Sequence, residues 1–480
     1  MAEEQASLRA LLDRSRLAHE LRFPAGVREV DPLIATVCED SREVSAGALF
    51  CCLPGGSHDG HDFAAAAAAA GAAALVVERP VPVALPQVLV TEARAAVGPL
   101  ALAHAGSPHE HLELVGVTGT NGKTTVTHLL GAILGAAGRP CATVSTLAGA
   151  LTTPRATELA RRLASARLAG ATAAAVEVSS HGLTQQRVDG LRFAVAAFTN
   201  LSPEHLDYHR DMEDYFGAKS RLFEPHRTAI SVVCTDDSWG RRLAGGLTGD
   251  VRRCSVADAE PLDSSARSSR FRWRGTEISL PLGGSHNVAN AVVAATAAQA
   301  LGADPVHIRA GLECAPDLPG RFEVVADDPV AVIVDFAHSP AALEQLLSAG
   351  RTLAPVHARL TVVFGCGGDR DASKREAMGA IASRLADRVI ITSDNPRRED
   401  PASIARAIMA GAAAVSPEIE LDRRRAIAAA LEGSRHGDVV IVAGKGHETT
   451  QIIGDRVLPF DDRQVVGQLL AAAGREVPAR

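Results

Sequence analysis

The chain has 480 residues, more than one hydrophobic core usually serves, so its length predicts two or three domains. Its 49 Lys and Arg residues against 56 Asp and Glu give a net charge of −7, and only 3% of the residues are aromatic, which argues against nucleic acid as the main partner. The eight cysteines include no CxxC pair, in a chain too long to need disulfide bonds, which favours a reduced, cytosolic protein.

Neither the N-terminus nor the most apolar run predicts secretion or a membrane span. The N-terminal segment MAEEQASLRALLDRSR lacks a basic stretch followed by an apolar core, so no secretory signal is expected and the protein is predicted to be cytoplasmic. The run FAAAAAAAGAAALVV at 63–77 is too short and too rich in Ala to span a bilayer, which needs about 20 clearly apolar residues. This run predicts a helix leading into a strand.

Two breaks in the patterned sequence, where Pro and Gly occur at 104–111 and 314–321, predict three domains: residues 1–109, 110–319 and 320–480. In the second, apolar runs typical of strands alternate with helical patterns, as expected for a mostly parallel α/β sheet. The third repeats this pattern and is predicted to be another open α/β domain. The predicted strands are 112–117, 173–178, 194–198 and 229–234 in the second domain, and 331–336, 360–365, 388–393 and 439–444 in the third.

The stretch GVTGTNGKTT at 116–125 follows a predicted strand and precedes a predicted helix that closes at Gly138. This is the context of a phosphate-binding loop, because backbone N–H groups and a helix N-terminus favour an anion. We expect Lys123 to reach the terminal phosphates and the Thr124 hydroxyl to help hold Mg²⁺. The standard GxxxxGK spacing calls for Gly where the chain has Val117, so an ordinary Gly-rich turn is the alternative.

Two side chains near the ends of the next strands are candidates for a metal site. Glu177 ends the strand in VEVSSH, where a carboxylate could approach Mg²⁺ held at the phosphate loop; pairing with an Arg is the structural alternative. His205 follows the third strand in FTNLSPEHLDYH. A lone His of this kind is often a packing residue, and the residues alone leave both interpretations open.

Four polar clusters, DFAHSP, GCGGDRD, SDNPR and AGKGHE, follow the four strands of the third domain. Open α/β sheets bind ligands outside the carboxyl ends of their strands, so these clusters predict one shared site. Because the phosphate loop lies in the second domain, the complete site is expected between domains that close on each other.

Ten motifs occur along the chain in one order: GVTGTNGKTT, VEVSSHGL, FTNLSPEHLDYH, YFGAKSRLF, GSHNVANA, LPGRFE, VDFAHSP, FGCGGDRD, SDNPR and AGKGHE. Together they resemble the Mur ligase family, most closely its UDP-N-acetylmuramoyl-tripeptide synthetase (MurE-type) branch, from about residue 40 into the third domain. The resemblance implies a UDP-binding N-terminal α/β domain, a central P-loop ATPase domain and a C-terminal Rossmann-like domain. It also implies ATP-dependent addition of an amino acid to the peptide of the cell-wall (peptidoglycan) precursor.

The resemblance implies that ATP phosphorylates the D-Glu carboxylate of UDP-MurNAc-L-Ala-D-Glu, and that the amine then attacks the acyl phosphate. Thr124, Glu177 and His205 are implied to surround Mg²⁺. Lys219 in YFGAKSRLF matches a family lysine that is carbamylated near the second metal, and a solvated helix lysine is the alternative. The implied nucleotide contacts are Gly119, Thr120, Asn121, Gly122, Lys123, Thr124, Thr125, Asn290, Arg321 and Asp335. For Asn290, Arg321 and Asp335, a role in a helix cap or an ion pair is the alternative.

The resemblance also implies which residues contact the UDP-sugar-peptide acceptor. An Arg suits its acidic peptide because the planar guanidinium pairs with a carboxylate through two hydrogen bonds. Surface ion pairing is the alternative for Arg187. The implied contacts are Ser41, Arg42, Thr152, Thr153, Ser179, Gln185 and Arg187.

The DNPR motif carries the prediction of the amine. In the branch that adds meso-diaminopimelate, the Arg of this motif holds the second carboxylate, and here it is Arg397. Lysine lacks that carboxylate and would leave Arg397 without its anion in a closed cleft, which costs binding. A simple strand-to-helix turn is the alternative for GGDRD. The other implied amino-acid contacts are Arg370, Asp394, Asn395, Gly444 and Glu448.

Several positions depart from the family pattern. Leu151 stands where the family has Asn before TTP, and Glu204 replaces the usual Asp before the metal His. Three hypotheses stay open: a meso-diaminopimelate ligase, the same chemistry with lysine or another acceptor, and a nucleotide-binding regulator that hydrolyses ATP without ligation. The predicted partners are small-molecule substrates, with no nucleic acid and no membrane, and the chain is expected to be a monomer.

Overall fold

The computed structural model describes residues 6–24, 29–56, 58–149 and 151–473. The first five residues of the N-terminal segment, which bear on the predicted absence of a secretory signal, lie outside these ranges. Among the described residues, no helix has both the length and the hydropathy that crossing a bilayer requires.

The N-terminal domain is a small α/β unit. Its described strands and α-helices are β1 (Ala6–Ser7), α1 (Leu8–Ser15), β2 (Glu20–Arg22), β3 (Leu33–Ile34), β4 (Thr36–Cys38), β5 (Ala48–Cys51), α2 (Ala64–Ala69), β6 (Ala74–Val77), β7 (Gln87–Leu89) and α3 (Ala93–His104). Five strands form one sheet in the order β2-β7-β6-β5-β4, parallel except between β2 and β7. The run at 63–77 forms α2 and β6, which confirms the predicted helix leading into a strand.

The central domain is larger and is built on a parallel sheet. Its elements are β8 (Glu113–Thr118), α4 (Lys123–Ala136), β9 (Cys141–Val144), α5 (Ala156–Leu168), β10 (Ala173–Glu177), α6 (Ser180–Thr184), β11 (Phe193–Phe198), α7 (Met212–Ser220), β12 (Thr228–Cys234), α8 (Ser238–Gly246), β13 (Asp250–Cys254), β14 (Ala259–Ser264), β15 (Ser269–Trp273), β16 (Thr276–Leu280), α9 (Ser285–Ala300) and α10 (Pro305–Glu313). The main sheet has the order β13-β12-β11-β8-β10-β9, and β14, β15 and β16 form a separate antiparallel sheet. β8 therefore lies inside the sheet, so the loop that follows it has a strand end on either side.

The C-terminal domain repeats the open α/β plan. Its elements are β17 (Glu323–Ala326), β18 (Ala331–Asp335), α11 (Pro340–Leu353), β19 (Leu360–Phe364), α12 (Lys374–Leu385), β20 (Arg388–Ile391), α13 (Pro401–Ala410), β21 (Glu418–Ile419), α14 (Arg423–Glu432), β22 (Val439–Ala443), β23 (Thr450–Ile453), β24 (Arg456–Pro459) and α15 (Asp462–Ala472). The sheet order is β17-β18-β22-β19-β20-β21, with only the edge pair β17–β18 antiparallel among its described strands.

The predicted strands and fold class are confirmed. All eight predicted apolar runs form strands, and every residue of β10, β19 and β22 is buried, as expected for parallel strands covered by helices on both faces. The protein is thus a three-domain α/β chain with a mostly parallel central sheet. The residue boundaries at 109/110 and 319/320 stay predictions.

One buried ion pair fixes the carboxyl ends of two strands in the C-terminal domain. Arg423 forms two hydrogen bonds of 2.7 Å with the Asp462 carboxylate, and both side chains are 0% exposed. The same guanidinium donates to the carbonyls of Ala443 (2.9 Å) and Ser393 (3.4 Å), which directly precede two of the predicted amino-acid contacts. The pair therefore supports the floor of the predicted amine site.

We expect Arg423→Met to lower the free energy of unfolding by about 3–5 kcal/mol, because it leaves the Asp462 carboxylate buried without its partner. Urea unfolding followed by circular dichroism measures the change. Arg425→Met is the matched control: its side chain is 74% exposed and pairs at the surface with Glu420, so we expect a loss below about 1 kcal/mol. Equal losses in the two variants would contradict this account of the buried pair.

Candidate active site

A cavity of about 920 Å³ lies between the central and C-terminal domains. Its walls carry the phosphate loop, residues from the ends of β10 and β11, and all four polar clusters of the C-terminal domain. The predicted site residues that line it are Thr120, Asn121, Gly122, Lys123, Thr124, Thr125, Thr152, Glu177, His205, Asn290, Arg321, Asp335, Arg370, Asp394, Asn395, Arg397, Gly444 and Glu448.

Eight predicted site residues do not line this cavity. Gly119 belongs to the phosphate loop, and its carbonyl accepts a hydrogen bond from Nζ of Lys219. The other six lie on the acceptor side. They are Ser41, Arg42, Thr153, Ser179, Gln185 and Arg187. The structure therefore gathers the predicted nucleotide and amine contacts around one space and leaves most of the predicted acceptor contacts outside it.

The phosphate loop has the geometry of a helix N-terminus that binds an anion. Gly122 is the N-cap of α4 with φ +84°, a conformation that favours glycine, and Lys123 is the first helical residue. The amide N–H of Asn121 donates to Oδ1 of Asn200 (2.9 Å), which fixes the loop against the end of β11. A Cβ on Gly122 would overlap Oδ1 of Asn290, so the loop and α9 fit together only with glycine here.

Two lysine ammonium groups converge on the loop. Nζ of Lys123 donates to the carbonyls of Gly119 (2.9 Å) and Thr120 (2.7 Å), and Nζ of Lys219 donates to the carbonyl of Gly119 (2.7 Å). Burial lowers the pKa of both ammonium groups, and for Lys219 the neighbouring Lys123 charge lowers the pKa further. Lys219 is only 1% exposed, so its interpretation as a solvated helix lysine is wrong.

Glu177 ends β10 with a fully buried carboxylate. Its oxygens accept hydrogen bonds from the backbone N–H of Thr146 (3.1 Å) and from the Thr146 hydroxyl (3.1 Å), and no salt bridge joins it to an Arg among the described residues. The pairing with Arg that was the structural alternative is therefore not observed. Oγ1 of Thr124, in the first turn of α4, accepts a hydrogen bond from Nη2 of Arg321 (3.1 Å).

His205 lies at the rim of the same region. It adopts φ +58°, and its ring packs against His181 (4.8 Å between centroids) and Tyr215 (6.1 Å). Burial lowers the pKa of His205 to about 3 despite the nearby Glu204 carboxylate. No hydrogen bond joins His205 to Glu177 or Thr124, and the described residues contain no group of three or more His, Cys, Asp or Glu that could hold a metal ion.

The predicted nucleotide contacts that lie outside the phosphate loop form hydrogen bonds within the protein. Both carboxylate oxygens of Asp335 accept backbone N–H groups, from Phe322 (2.6 Å) and Ala337 (2.7 Å), so this carboxylate caps the turn after β18 and fastens it to the domain linker. Nδ2 of Asn290 donates to Oδ1 of Asn287 (3.3 Å) within α9. Both side chains line the cavity while making these contacts.

The predicted acceptor contacts form two groups. In the first, the hydroxyl of Thr153 donates to the Glu177 carbonyl (2.8 Å), and Arg187 donates to the Thr153 carbonyl (2.7 Å) and to Oε1 of Gln185 (2.6 Å). The Thr153 hydroxyl also accepts the N–H of Ser179 (2.9 Å). Arg187 is half-buried and forms no ion pair within hydrogen-bond distance among the described residues, so the surface-pairing alternative is not observed.

The second group contains Ser41 and Arg42, which lie in a short 3₁₀ turn of the N-terminal domain, Ser41–Glu43. The Arg42 guanidinium is 84% exposed and pairs with Asp40 (2.6 Å), whose pKa it holds well below the usual range. Arg155 of the central domain also lies 3.5 Å from Asp40, so this turn faces the central domain.

The predicted amine contacts lie at the carboxyl ends of β19, β20 and β22. Arg397 has φ +51°, and its only side-chain hydrogen bond among the described residues goes to the Gly368 carbonyl (2.7 Å). Asn395 donates to Oε2 of Glu448 (2.8 Å). Arg370 is exposed at the cavity wall and has no salt bridge within the described ranges. The C-terminal wall of the cavity thus presents the guanidinium groups of Arg370 and Arg397, which form no salt bridge with any described carboxylate.

Sequence reasoning missed four side chains that belong to this region. Glu204 was noted only as a departure from the family pattern, yet it is buried, lines the cavity and pairs with Nε2 of His338 (2.9 Å) across the domain interface. Burial alone would raise the pKa of Glu204, but the His338 hydrogen bond, the His338 charge and the charge of Lys123 together outweigh this effect and lower it. Lys374 lines the cavity and donates to the His338 carbonyl (2.7 Å), and Lys445 is fully buried next to Glu448. All four lie within motifs that sequence analysis had singled out or beside them.

Comparison with known proteins agrees with this arrangement. Three domain models match in chain order: the Mur ligase family catalytic domain at 33–108, the Mur ligase middle domain at 117–298, and the Mur ligase glutamate ligase domain at 320–446. Curated UDP-N-acetylmuramoyl-L-alanyl-D-glutamate–2,6-diaminopimelate ligases are similar over nearly the whole chain. The protein from Gloeobacter violaceus is 44% identical (91% of this chain, 94% of the relative), and that from Streptomyces coelicolor is 41% identical (91% and 92%).

Solved structures show the same fold. A UDP-N-acetylmuramoyl-L-alanyl-D-glutamate–2,6-diaminopimelate ligase superposes with a TM-score of 0.65 at 30% identity, covering 98% of this chain and 100% of that one. The MurF ligase from Thermotoga maritima in complex with ADP has a TM-score of 0.64 at 19% identity, covering 91% and 97%. The three Mur ligase domain models and the ligases at 41–44% identity, together with a phosphate loop facing the cavity, define this chain as an ATP-dependent ligase. The chain belongs to the Mur ligase family.

We expect Gly122→Ala to weaken the binding of a non-hydrolysable ATP analogue by tenfold or more, because the added methyl overlaps Asn290 and a positive φ costs about 1–3 kcal/mol for a residue other than Gly. Isothermal titration calorimetry measures the affinity. Gly135→Ala is the control on the same helix: nothing lies within 4 Å of its Cβ, so affinity should stay at the wild-type level. Wild-type affinity in Gly122→Ala would contradict the close fit of the loop and α9.

Proposed function

We propose that this chain is an ADP-forming ligase that joins meso-2,6-diaminopimelate to UDP-MurNAc-L-Ala-D-Glu during synthesis of the peptidoglycan precursor. The observation that carries the proposal is a cavity whose central-domain wall is a phosphate loop and whose C-terminal wall presents two guanidinium groups, Arg370 and Arg397, that pair with no carboxylate of the described residues. The names of the relatives at 41–44% identity support the same reaction. We also propose that the enzyme works as a cytoplasmic monomer.

In the proposed first step, a D-Glu carboxylate oxygen attacks the γ-phosphorus of ATP, the bond from that phosphorus to the β,γ-bridging oxygen breaks, and ADP leaves as the acyl phosphate forms. Lys123 would exchange its contacts with the loop carbonyls for phosphate oxygens, and the N–H groups at the start of α4 would hold the remaining charge. These donors are fixed before the reaction, so little reorganisation is needed as negative charge develops. The residues proposed to contact ATP are those of the loop together with Asn290, Arg321 and Asp335.

The chemistry of the loop fits a Mg²⁺ ion that is shared with the substrate. Mg²⁺ usually takes one or two carboxylates together with phosphate oxygens and waters, so three or more acidic or imidazole ligands are not required. We propose Thr124 and Glu177 as the protein ligands near the phosphates, with His205 and Lys219 beside them. When bound, the ion would neutralise charge on the phosphate oxygens. The lowered pKa of Lys219 favours the neutral amine that carbamylation of this side chain requires.

The acceptor is proposed to approach from the N-terminal side, past Thr152 and Thr153, so that its D-Glu end reaches the cavity. The Thr153 hydroxyl contacts the Glu177 carbonyl, which joins the acceptor residues to the residues proposed to hold the metal. Arg187, half-buried and without an ion-pair partner among the described residues, is available to the acidic peptide. Ser41 and Arg42 of the N-terminal domain, with Ser179 and Gln185, would contact the nucleotide-sugar part.

The amine specificity is proposed to rest on Arg397. Its guanidinium donates only to the Gly368 carbonyl among the described residues, so most of its donors are free for a second carboxylate such as that of diaminopimelate. Lysine has no such group and would leave the cation unpaired, which costs several kcal/mol in a closed site. Arg370, Asp394, Asn395, Gly444 and Glu448 would contact the remaining charged ends.

The activity assay described below also distinguishes the proposed reaction from two other functions. The same ligase chemistry could act on lysine or on another acceptor, and the departures at Leu151 and Glu204 are the reason to test the acceptor as well as the amine. A nucleotide-binding regulator would hydrolyse ATP without any amine. The unpaired Arg397 on the cavity wall favours the ligase over the regulator, because a hydrolase has no use for an amino-acid site.

We expect phosphate release from ATP and Mg²⁺ with UDP-MurNAc-L-Ala-D-Glu to depend on meso-diaminopimelate, with a product of tripeptide mass by mass spectrometry. Parallel reactions contain L-lysine or no amine. Turnover with lysine would overturn the argument from Arg397, and release independent of amine would support the regulator. Arg397→Ala is the matched variant: it should raise the KM for meso-diaminopimelate about tenfold or more and leave the KM for ATP unchanged, since it removes only the contact with the second carboxylate.

A further inference from the structure

Lysine is rare in this chain. Of the 49 basic residues only four are lysines, Lys123, Lys219, Lys374 and Lys445, and the rest are arginines. The first two contact the phosphate loop and Lys374 lines the cavity. Lys445 is 0% exposed and does not line the cavity, although its neighbours Gly444 and Glu448 do. Lys445 is therefore a buried lysine directly behind the predicted amine site. Because the chain uses arginine almost everywhere else, we expect a role at this position that requires lysine.

The contacts of Lys445 use all three of its donors. Its Nζ donates to the Thr450 carbonyl (2.6 Å), to Oε2 of Glu448 (3.0 Å) and to Oδ1 of Asn395 (3.2 Å). An ammonium group has three hydrogens on one compact atom, so three converging acceptors satisfy it. The planar guanidinium of an arginine presents its donors in a different, wider arrangement.

These contacts fix the two polar side chains in front of Lys445. Oδ1 of Asn395 also accepts the N–H of Ile452 (3.0 Å), so its amide has one orientation, in which Nδ2 donates to Oε2 of Glu448 (2.8 Å). Both hydrogen bonds to the Glu448 carboxylate therefore end on Oε2. Among the described residues no hydrogen bond ends on Oε1, and Glu448 lines the cavity.

We propose that Lys445 is a positioning residue for the amine substrate, an inference that rests on the proposed function. It holds Oε2 of Glu448 from behind, so that Oε1 is available to an ammonium group of the incoming diamino acid. Lys445 does not contact the substrate itself. Its charge also balances the partly buried Glu448 carboxylate, which would otherwise be costly to keep ionised beside the buried Asn395.

We expect Lys445→Met to raise the KM for meso-diaminopimelate about tenfold or more while the KM for ATP stays within about twofold, because only the amine site loses its support. Steady-state kinetics with each substrate varied in turn measures both values. Lys445→Gln removes the charge but keeps a polar group for the buried acceptors. This variant replaces Lys445→Met in the same measurement if Lys445→Met does not fold. A KM for meso-diaminopimelate at the wild-type value in a folded variant would overturn the proposal.

A double-mutant cycle with Glu448→Gln separates positioning from general support of the fold. If Lys445 acts through Glu448, replacing Lys445 in the Glu448→Gln background should change the KM for meso-diaminopimelate less than twofold. Full additivity of the two effects would overturn the proposal. Absence of turnover with meso-diaminopimelate in the wild-type enzyme would overturn both this inference and the proposed function, whereas wild-type turnover with unaffected variants would overturn this inference alone.

Discussion

The contact of Arg321 with the phosphate loop is the interaction on which the site geometry depends. Arg321 lies in the linker between α10 and β17, donates to Oγ1 of Thr124 (3.1 Å), and stacks over the Phe336 ring at 4.7 Å from its centroid. One side chain thus touches the start of α4 in the central domain and the end of β18 in the C-terminal domain. The carboxyl ends of the two parallel sheets consequently face each other across one cavity, and each sheet contributes one half of the proposed reaction.

The charges around this contact are arranged for an anion. Two lysines and Arg321 lie close together beneath and beside the loop, and burial lowers the pKa of each. The Glu204 and Glu177 carboxylates offset part of this positive charge, and His338 holds Glu204 from the opposite domain. Buried like charges are unfavourable in a medium of low dielectric constant, so a polyphosphate entering here would relieve repulsion as well as gain hydrogen bonds.

Much of the architecture could be predicted because it depends on local patterns. Continuous apolar runs predicted the parallel strands, and polar clusters after those strands predicted which side chains would meet, since the carboxyl ends of parallel strands lie at one edge of a sheet. The position of Gly122 and Lys123 at the start of a helix could be predicted from the strand before the loop and the helical pattern after it, although the GxxxxGK spacing is not met at Val117.

The rest depends on contacts between distant parts of the chain. The partner of Glu204 is His338, in another domain, and Lys445 contacts Asn395, which lies 50 residues away in the chain. Neither the hydrophobic periodicity of the sequence nor the spacing of its motifs indicates contacts of this kind. The scarcity of lysine was nevertheless a usable signal, because a chain that relies on arginine elsewhere keeps its four lysines in and around one cavity.

The central claim is that the acceptor carboxylate is activated as an acyl phosphate on the central domain before the amine held on the C-terminal domain attacks it. The most direct measurement uses UDP-MurNAc-L-Ala-D-Glu labelled with ¹⁸O in the reacting D-Glu carboxylate, with mass analysis of the released phosphate. The account predicts that each phosphate carries one ¹⁸O atom, because the carboxylate oxygen that attacks phosphorus leaves with it. Unlabelled phosphate accompanied by formation of the tripeptide would contradict the account.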